Sequence, residues 1–231
     1  MMPDLYHHPL DPQSRFVRLA LGEFGIEPNL IEERVHERRH DFLLMNPACT
    51  TPVLVEDHVP PVPGAGIIAE YLDETRGLGM ADRRLLPDHP IVRLEVRRLL
   101  DWFNAKFFWE VSEPLVREKV YRRYMKGDQG GGAPDMDAVR SARSNVRYHL
   151  RYIGYLIRGR RWLGGDTLTY ADLAAAAHLS CVDFLGDVPW AEDEGAKHWY
   201  ARIKSRPSFR PLLADRMPGM MPSATYADLD F

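Results

Sequence analysis

Asp11 stands where this chain would be expected to do chemistry. The run Leu5-Tyr6-His7-His8-Pro9-Leu10-Asp11-Pro12-Gln13-Ser14-Arg15-Phe16 reads as a short strand over 4–8. It enters a proline-rich turn and then a helix that starts near Gln13, with Phe16, Val17, Ala20, Leu21 and Phe24 at helical spacing. That layout is the one a redox-type active site uses, because free backbone N–H groups and the helix dipole favour a thiolate or another anion. A carboxylate fixed there opposes such chemistry. It repels an incoming thiolate and, at an ordinary carboxylate pKa, has no proton to give near neutral pH.

Other reactive residue types lack the neighbours that would make them a site. Cys49 has no resolving partner and no adjacent base, so it reads as a small apolar residue of a core or loop. His36 and His40 have the i, i+4 spacing of a metal pair beside Glu33 and Glu37. No third ligand motif accompanies them, so they read as a solvated face, and no metal is expected. His7 and His8 read as packing residues. Arg140, Arg143, Arg147, Arg151 and Arg158 recur at steps of three, four, four and seven, with no acidic residue from Ala138 to Gly165. A row of like charges on one helix is repulsive. It must pair with Asp and Glu of neighbouring helices or of a second subunit, or else dock an acidic partner, and both readings stay open. Arg160 and Arg161, with Arg117, Lys119, Arg122 and Arg123, extend the basic character.

The elements that would position these residues come in two unequal parts. Residues 29–34 read as a second strand and 37–45 as an irregular or short helical segment. Asn46-Pro47-Ala48-Cys49-Thr50-Thr51-Pro52-Val53-Leu54-Val55 reads as a loop entering a hairpin-like strand, where the Thr51-Pro52 bond is a candidate for cis. Residues 65–75 form a short helix with Ile67, Ile68, Tyr71 and Leu72 on one face. After a Gly- and Pro-rich linker the chain reads as helix throughout. Residues 91–126 carry Val92, Val96, Leu99, Phe103, Phe107 and Val111 as a buried stripe, and 135–157 carry Val139, Ala142, Val146, Leu150 and Ile153. Leu168-Thr169-Tyr170-Ala171-Asp172 reads as a capping box, with Leu168 as its staple, ahead of an Ala-rich helix over 173–184.

Composition sets the outer bounds. The chain has 231 residues, 45% hydrophobic and 10% aromatic, enough for one large core or two modest ones. A net charge of −3 and a pI near 6.3 supply no general field for nucleic acid, and none is expected as a partner. Cys49 and Cys181 lie far apart, which argues for a reducing compartment and against a disulfide framework. No signal-like N-terminus and no apolar run of membrane-spanning length are visible, so no membrane insertion is expected and the cytoplasm is the default location.

Taken in order, the Leu5-Tyr6 strand with Val17-Arg18-Leu19-Ala20-Leu21, the Asn46-Pro47 to Thr51-Pro52-Val53-Leu54 strand entry, Ile68-Ala69-Glu70-Tyr71-Leu72 and the Leu168 to Asp172 cap resemble the cytosolic glutathione transferases. The resemblance implies an α/β plus all-α architecture. Residues 1–78 would be a thioredoxin-like βαβαββα domain, 79–90 a linker, 91–214 an all-helical domain and 215–231 an extended tail. In that family the residue matching Asp11 handles the glutathione sulfur, and Tyr6 and Ser14 are weaker candidates for a thiol-polarising hydroxyl. Thr51, Pro52 and Val53 match the strand entry that pairs with the cysteinyl backbone of glutathione. A Glu-Ser pair usually grips the γ-glutamyl end, and Gly64 and Ala65 stand in its place. Losing two or three hydrogen bonds to charged ligand groups, at about 1.5–3 kcal/mol each, would weaken binding by several powers of ten.

The expectation is therefore a non-catalytic, dimeric binding protein with a vestigial glutathione site and no cofactor. Within the family the chain resembles a cell-division member of α-proteobacteria that binds the tubulin-like FtsZ. That implies FtsZ or another division protein as partner, with recruitment to the division site. The alternative is a glutathione transferase or related enzyme with an atypical centre, for which glutathione would be the cofactor. Candidate partner-binding residues are Arg140, Arg143, Arg147 and Arg151, together with Tyr226, Asp228, Leu229, Asp230 and Phe231 of the tail. The tail is too apolar for a purely solvated segment and too rich in Pro and Gly around Met217 to Pro222 for a helix. Either it folds back over its own helical domain or it recognises a partner, and beyond Pro222 its expected role is functional and not structural.

Overall fold

The computed structural model describes residues 2–229. The N-terminal part is a four-stranded mixed sheet in the order β2-β1-β3-β4. Strand β1 (Asp4–His7) pairs in parallel with β2 (Asn29–Glu32) and antiparallel with β3 (Val53–Val55), which in turn pairs with β4 (Val62–Pro63). Between β1 and β2 runs α1 (Pro12–Glu23), with Asp11 as N-cap and Pro12 at the first helical position, where its missing N–H costs nothing. The short α2 (His40–Met45) and the longer α3 (Ala65–Arg76) complete the βαβαββα unit. The Thr51-Pro52 peptide bond at the entrance to β3 is cis.

Helix α3 buries Ile68, Ala69 and Leu72, but Ile67 is 61% exposed, which corrects its expected place on the core face. At 100° per residue Ile67 sits on the flank of the Ile68–Leu72 stripe, and it is that stripe that joins the core with α1 and the sheet.

The second part is all helix. A continuous helical run comprises α4 (Pro90–Asp101), α5 (Glu113–Val116) and α6 (Arg122–Tyr124), joined by π-wound stretches Trp102–Ser112 and Arg117–Tyr121. Pro114, which has no N–H for the ladder, stands between the two wide-wound stretches. Val96, Leu99, Phe103, Phe107 and Val111 are fully buried along it. Helix α7 (Met136–Ile157), capped by Asp135, buries the apolar stripe expected of it. Helix α8 (Tyr170–Phe184) is buried along its whole length. At its start Asp172 takes the N–H and the hydroxyl of Thr169, and it also accepts from the Leu163 N–H and from Trp199 Nε1 of α9 (Glu194–Lys204). One core runs through both parts because α1 packs on α8, with Phe16 edge-on to Tyr170 at 5.9 Å.

The tail departs from expectation. After α10 (Arg210–Leu213) it folds back and forms α11 (Ala224–Ala227). Tyr226 is completely buried: its hydroxyl donates to the Leu212 carbonyl at 2.7 Å, its ring meets Phe184 edge-on, and the Arg15 guanidinium lies 5.6 Å from the ring centre. Ser223 and Thr225 bond to Asp183, and Lys204 Nζ donates to the carbonyls of Thr225 and Asp228. The expectation that this segment is structurally dispensable is overturned as far as Asp228. Asp228 and Leu229 are exposed, while Asp230 and Phe231 lie outside the described residues.

Tyr226→Ala is expected to cost about 3 kcal/mol or more, and Tyr226→Phe, which keeps the ring and strands the Leu212 carbonyl, about 1 kcal/mol. Urea unfolding followed by circular dichroism measures both. A Tyr226→Ala curve that overlays the wild type would show that the tail holds nothing together.

Candidate functional site: the Asp11 turn and the adjoining cleft

Asp11 is a helix cap before it is anything else. Its carboxylate accepts from the Gln13 N–H at 3.3 Å and the Ser14 N–H at 3.0 Å, satisfying two of the orphan donors of α1. It also accepts from two hydroxyls, Ser14 Oγ at 2.5 Å and Thr51 Oγ1 at 2.9 Å. Burial pushes the Asp11 carboxyl above its ordinary pKa, and the four donors only partly offset this. That corrects the expectation of an ordinary carboxylate. The chemical consequence lies with the neighbours: a hydroxyl has one hydrogen, and Ser14 and Thr51 both spend theirs on Asp11. Neither is then a donor to a ligand sulfur.

The structure brings Asp11, Ser14, Thr51 and Pro52 together, and Gly64 joins them through its N–H, which donates to the Pro52 carbonyl at 2.9 Å. Tyr6 is not part of this group. Its ring packs on Phe42 at 5.9 Å, within the cluster that holds Cys49 and Val53. Gly64 caps α3 at φ +89°, a conformation that penalises any side chain, and no side chain caps that helix. Ala65 is buried and borders a separate cavity of about 340 Å³ with Gln13, Gly66 and Glu70.

Thr51 and His8 face a cleft of about 260 Å³ between the two parts. Its other wall is helical, with Glu113, Arg117, Tyr121, Tyr124 and Met125, and Met217 and Pro218 of the tail border it. His8 Nδ1 accepts from the Leu10 N–H, and burial, reinforced by His7 and Arg15, lowers its pKa to about 3, so the ring is neutral at physiological pH. Tyr121 stacks edge-on against His8 at 4.9 Å, and burial raises its hydroxyl pKa well above the usual phenol value. Burial likewise raises Glu113, which pairs with Arg117 at 3.2 Å. A cleft so lined can seat an amphipathic group. Sequence reading missed this wall, although Glu113, Arg117, Tyr121 and Tyr124 recur at steps of four, four and three along one helix flank.

The remaining candidates are dispersed. Cys49 Sγ lies 3.3 Å from the Val35 carbonyl, and Cys181 is buried with its thiol pushed up to about 12. His36 borders the cleft, and among the described residues no group of three or more His, Cys, Asp or Glu side chains is placed to hold a metal. Arg143 meets the almost buried Asp187 at 2.7 Å, where Lys119 also pairs at 2.6 Å. Arg147 pairs with Glu192 at 2.9 Å, and Arg140 with Asp137 of its own helix. Arg151 reaches only the Arg147 carbonyl. No helix among the described residues is long and apolar enough to cross a membrane.

This fold, a thioredoxin-like sheet unit followed by an all-helical part, defines a glutathione-transferase type of protein. Residues 12–75 match the glutathione S-transferase N-terminal domain and residues 114–207 the C-terminal domain, and the chain belongs to this family. It is 45% identical to FtsZ-localized protein A of Caulobacter vibrioides over 98% of this chain and 97% of that protein. The solved structure of FzlA from C. crescentus superposes with a TM-score of 0.91 at 44% identity, covering all of both chains. A glutathione S-transferase from Sinorhizobium meliloti superposes with a TM-score of 0.97 at 53% identity, again over all of both chains.

The raised Asp11 pKa sets a pH signature. The folded carboxyl keeps its proton to higher pH than the unfolded one, so its contribution to stability is full below the unfolded value near 4 and is lost as pH rises through the folded value. Asp11→Asn has no such titration. Urea unfolding of both proteins from pH 4 to pH 8 should show the wild type losing stability relative to Asp11→Asn as pH rises, and parallel profiles would contradict the shift.

Proposed function

We propose that this chain is a non-catalytic, dimeric binding protein that associates with FtsZ and is recruited to the bacterial division site. The observation that supports a non-catalytic role is the commitment of both hydroxyl hydrogens, Ser14 and Thr51, to Asp11. Gly64 and Ala65 add to it, since neither offers a side-chain group to a γ-glutamyl end. The association with FtsZ is carried over from the similarity to FtsZ-localized protein A. In this reading the chain needs no cofactor, and Asp228 and Leu229, exposed beyond the buried Tyr226, contribute to partner contact. The high identity to a protein described as a glutathione S-transferase favours a second reading, an enzyme of this family with an atypical centre.

Dimerisation has a suitable surface. The Arg97–Glu70 ion pair at 2.9 Å sets α4 beside α3. Ile67, Ile91 and Leu94 on these two helices are each more than 60% exposed, an apolar set suited to a two-fold contact.

Calorimetric titration should give millimolar or weaker binding of glutathione, with conjugation of an electrophilic test substrate at background. Micromolar binding with turnover would establish the enzyme reading instead. The protein should co-sediment with polymerised FtsZ, and its absence from the pellet would remove the division reading. Light scattering should give twice the chain mass at micromolar concentration, and Ile67→Glu with Leu94→Glu should reduce it to one.

A further inference from the structure

The basic row on α7 splits into two halves. Arg143 is a clamp: its guanidinium and Lys119 together neutralise Asp187, which is only 8% exposed. Arg140, Arg147, Arg151 and Arg158 differ. At about 100° per residue they fall within about 40° of arc and extend about 27 Å along the outer face. Exposed Tyr148 and Tyr155 lie beside them on the same face. Toward the N-terminal end the arginines have carboxylate partners, Asp137 for Arg140 and Glu192 for Arg147. Toward the C-terminal end the same row continues without any: among the described residues Arg151 has no ion pair, and the side chains of Arg158 and Tyr155 have neither ion pair nor hydrogen bond. An open recess of about 250 Å³ adjoins Arg147, lined also by Arg143, Gly186, Asp187, Val188 and Pro189.

We infer that the outer face of α7 docks an acidic, partly apolar polypeptide segment, whose carboxylates pair with Arg151 and Arg158 and whose apolar side chains lie on Tyr155 and Tyr148. The row already pairs with carboxylates where the chain supplies them, and Arg and Tyr are the residue types that anchor protein interfaces. A long polyanion such as RNA is disfavoured, because the chain's net charge of −3 repels it beyond the row. The inference specifies the chemistry of a ligand and does not depend on the FtsZ reading.

The test uses the full chain and a fluorescein-labelled peptide of seven Glu-Glu-Leu repeats, with binding followed by anisotropy. The peptide should bind about tenfold more weakly at 200 mM than at 50 mM salt. Arg151→Glu with Arg158→Glu should weaken it at least tenfold, while Arg83→Glu with Arg210→Glu, an equal charge change at exposed arginines elsewhere, should change it less than twofold. Arg151→Gln with Arg158→Gln serves the same readout if the reversal lowers the melting temperature. No peptide binding, equal losses in the two reversals, or tighter binding of a 20-mer of oligouridylate would overturn the inference. A change of oligomeric mass in Arg151→Glu with Arg158→Glu would also overturn it, making the row a contact between copies.

Discussion

A guanidinium with no exposure to water, Arg15, is the interaction on which the rest of the arrangement depends. A buried cation is tolerated only where its donors find acceptors, because the alternative is a desolvated charge worth several kcal/mol against folding. Arg15 meets this by reaching in four directions: to the Pro9 carbonyl at 2.6 Å, Ser180 Oγ of α8 at 2.8 Å, Asp215 at 3.3 Å and the face of Tyr226. Arg18, one turn on, holds the same Asp215 at 2.8 and 2.9 Å. The turn that presents Asp11, the central helix of the second part and the returning tail are thereby tied to one helix. Removing any partner leaves the charge short of an acceptor, so these segments stand or fall together.

The Asp11 turn has a rigid geometry for the same kind of reason. Position 11 serves two incompatible demands, to finish the N-terminus of α1 and to leave donors pointing at a ligand. A carboxylate accepts without donating, so it completes the cap and draws in the nearby hydroxyls of Ser14 and Thr51. That links α1 to the loop before β3 through the two hydroxyls, while the two backbone N–H groups complete the cap.

Local and periodic features were legible in the sequence. The apolar stripes of α4 and α7 and the Asp172 capping box follow from spacing alone, since each depends on residues within a few positions of one another, while the strand arrangement came with the family resemblance. What stayed hidden is long-range. The pairing of Arg143 with Asp187 spans 44 positions, and that of Arg15 with Asp215 spans 200. Nothing in the neighbourhood of either arginine announces its partner. The raised pKa of Asp11 comes from its burial, a tertiary property no window around residue 11 contains. The tail misled for a related reason. An apolar residue between charged ones suits a docking motif and a fold-back anchor equally, and only Phe184 and Leu212 at the receiving end decide that Tyr226 is the latter.

The two observations behind the non-catalytic proposal are physically independent of one another. Ser14 and Thr51 are occupied because Asp11 sits at an N-cap, a matter of hydrogen-bond accounting on α1. Gly64 lacks a side chain at a backbone angle, φ +89°, that disfavours one, a matter of steric strain ahead of α3. Replacing Asp11 by a serine would free a hydroxyl and leave Gly64 unchanged. Replacing Gly64 by glutamate would supply a carboxylate only at the cost of strain at that angle. No single substitution changes both positions, because one is set by the hydrogen bonds at the cap of α1 and the other by the backbone angle ahead of α3.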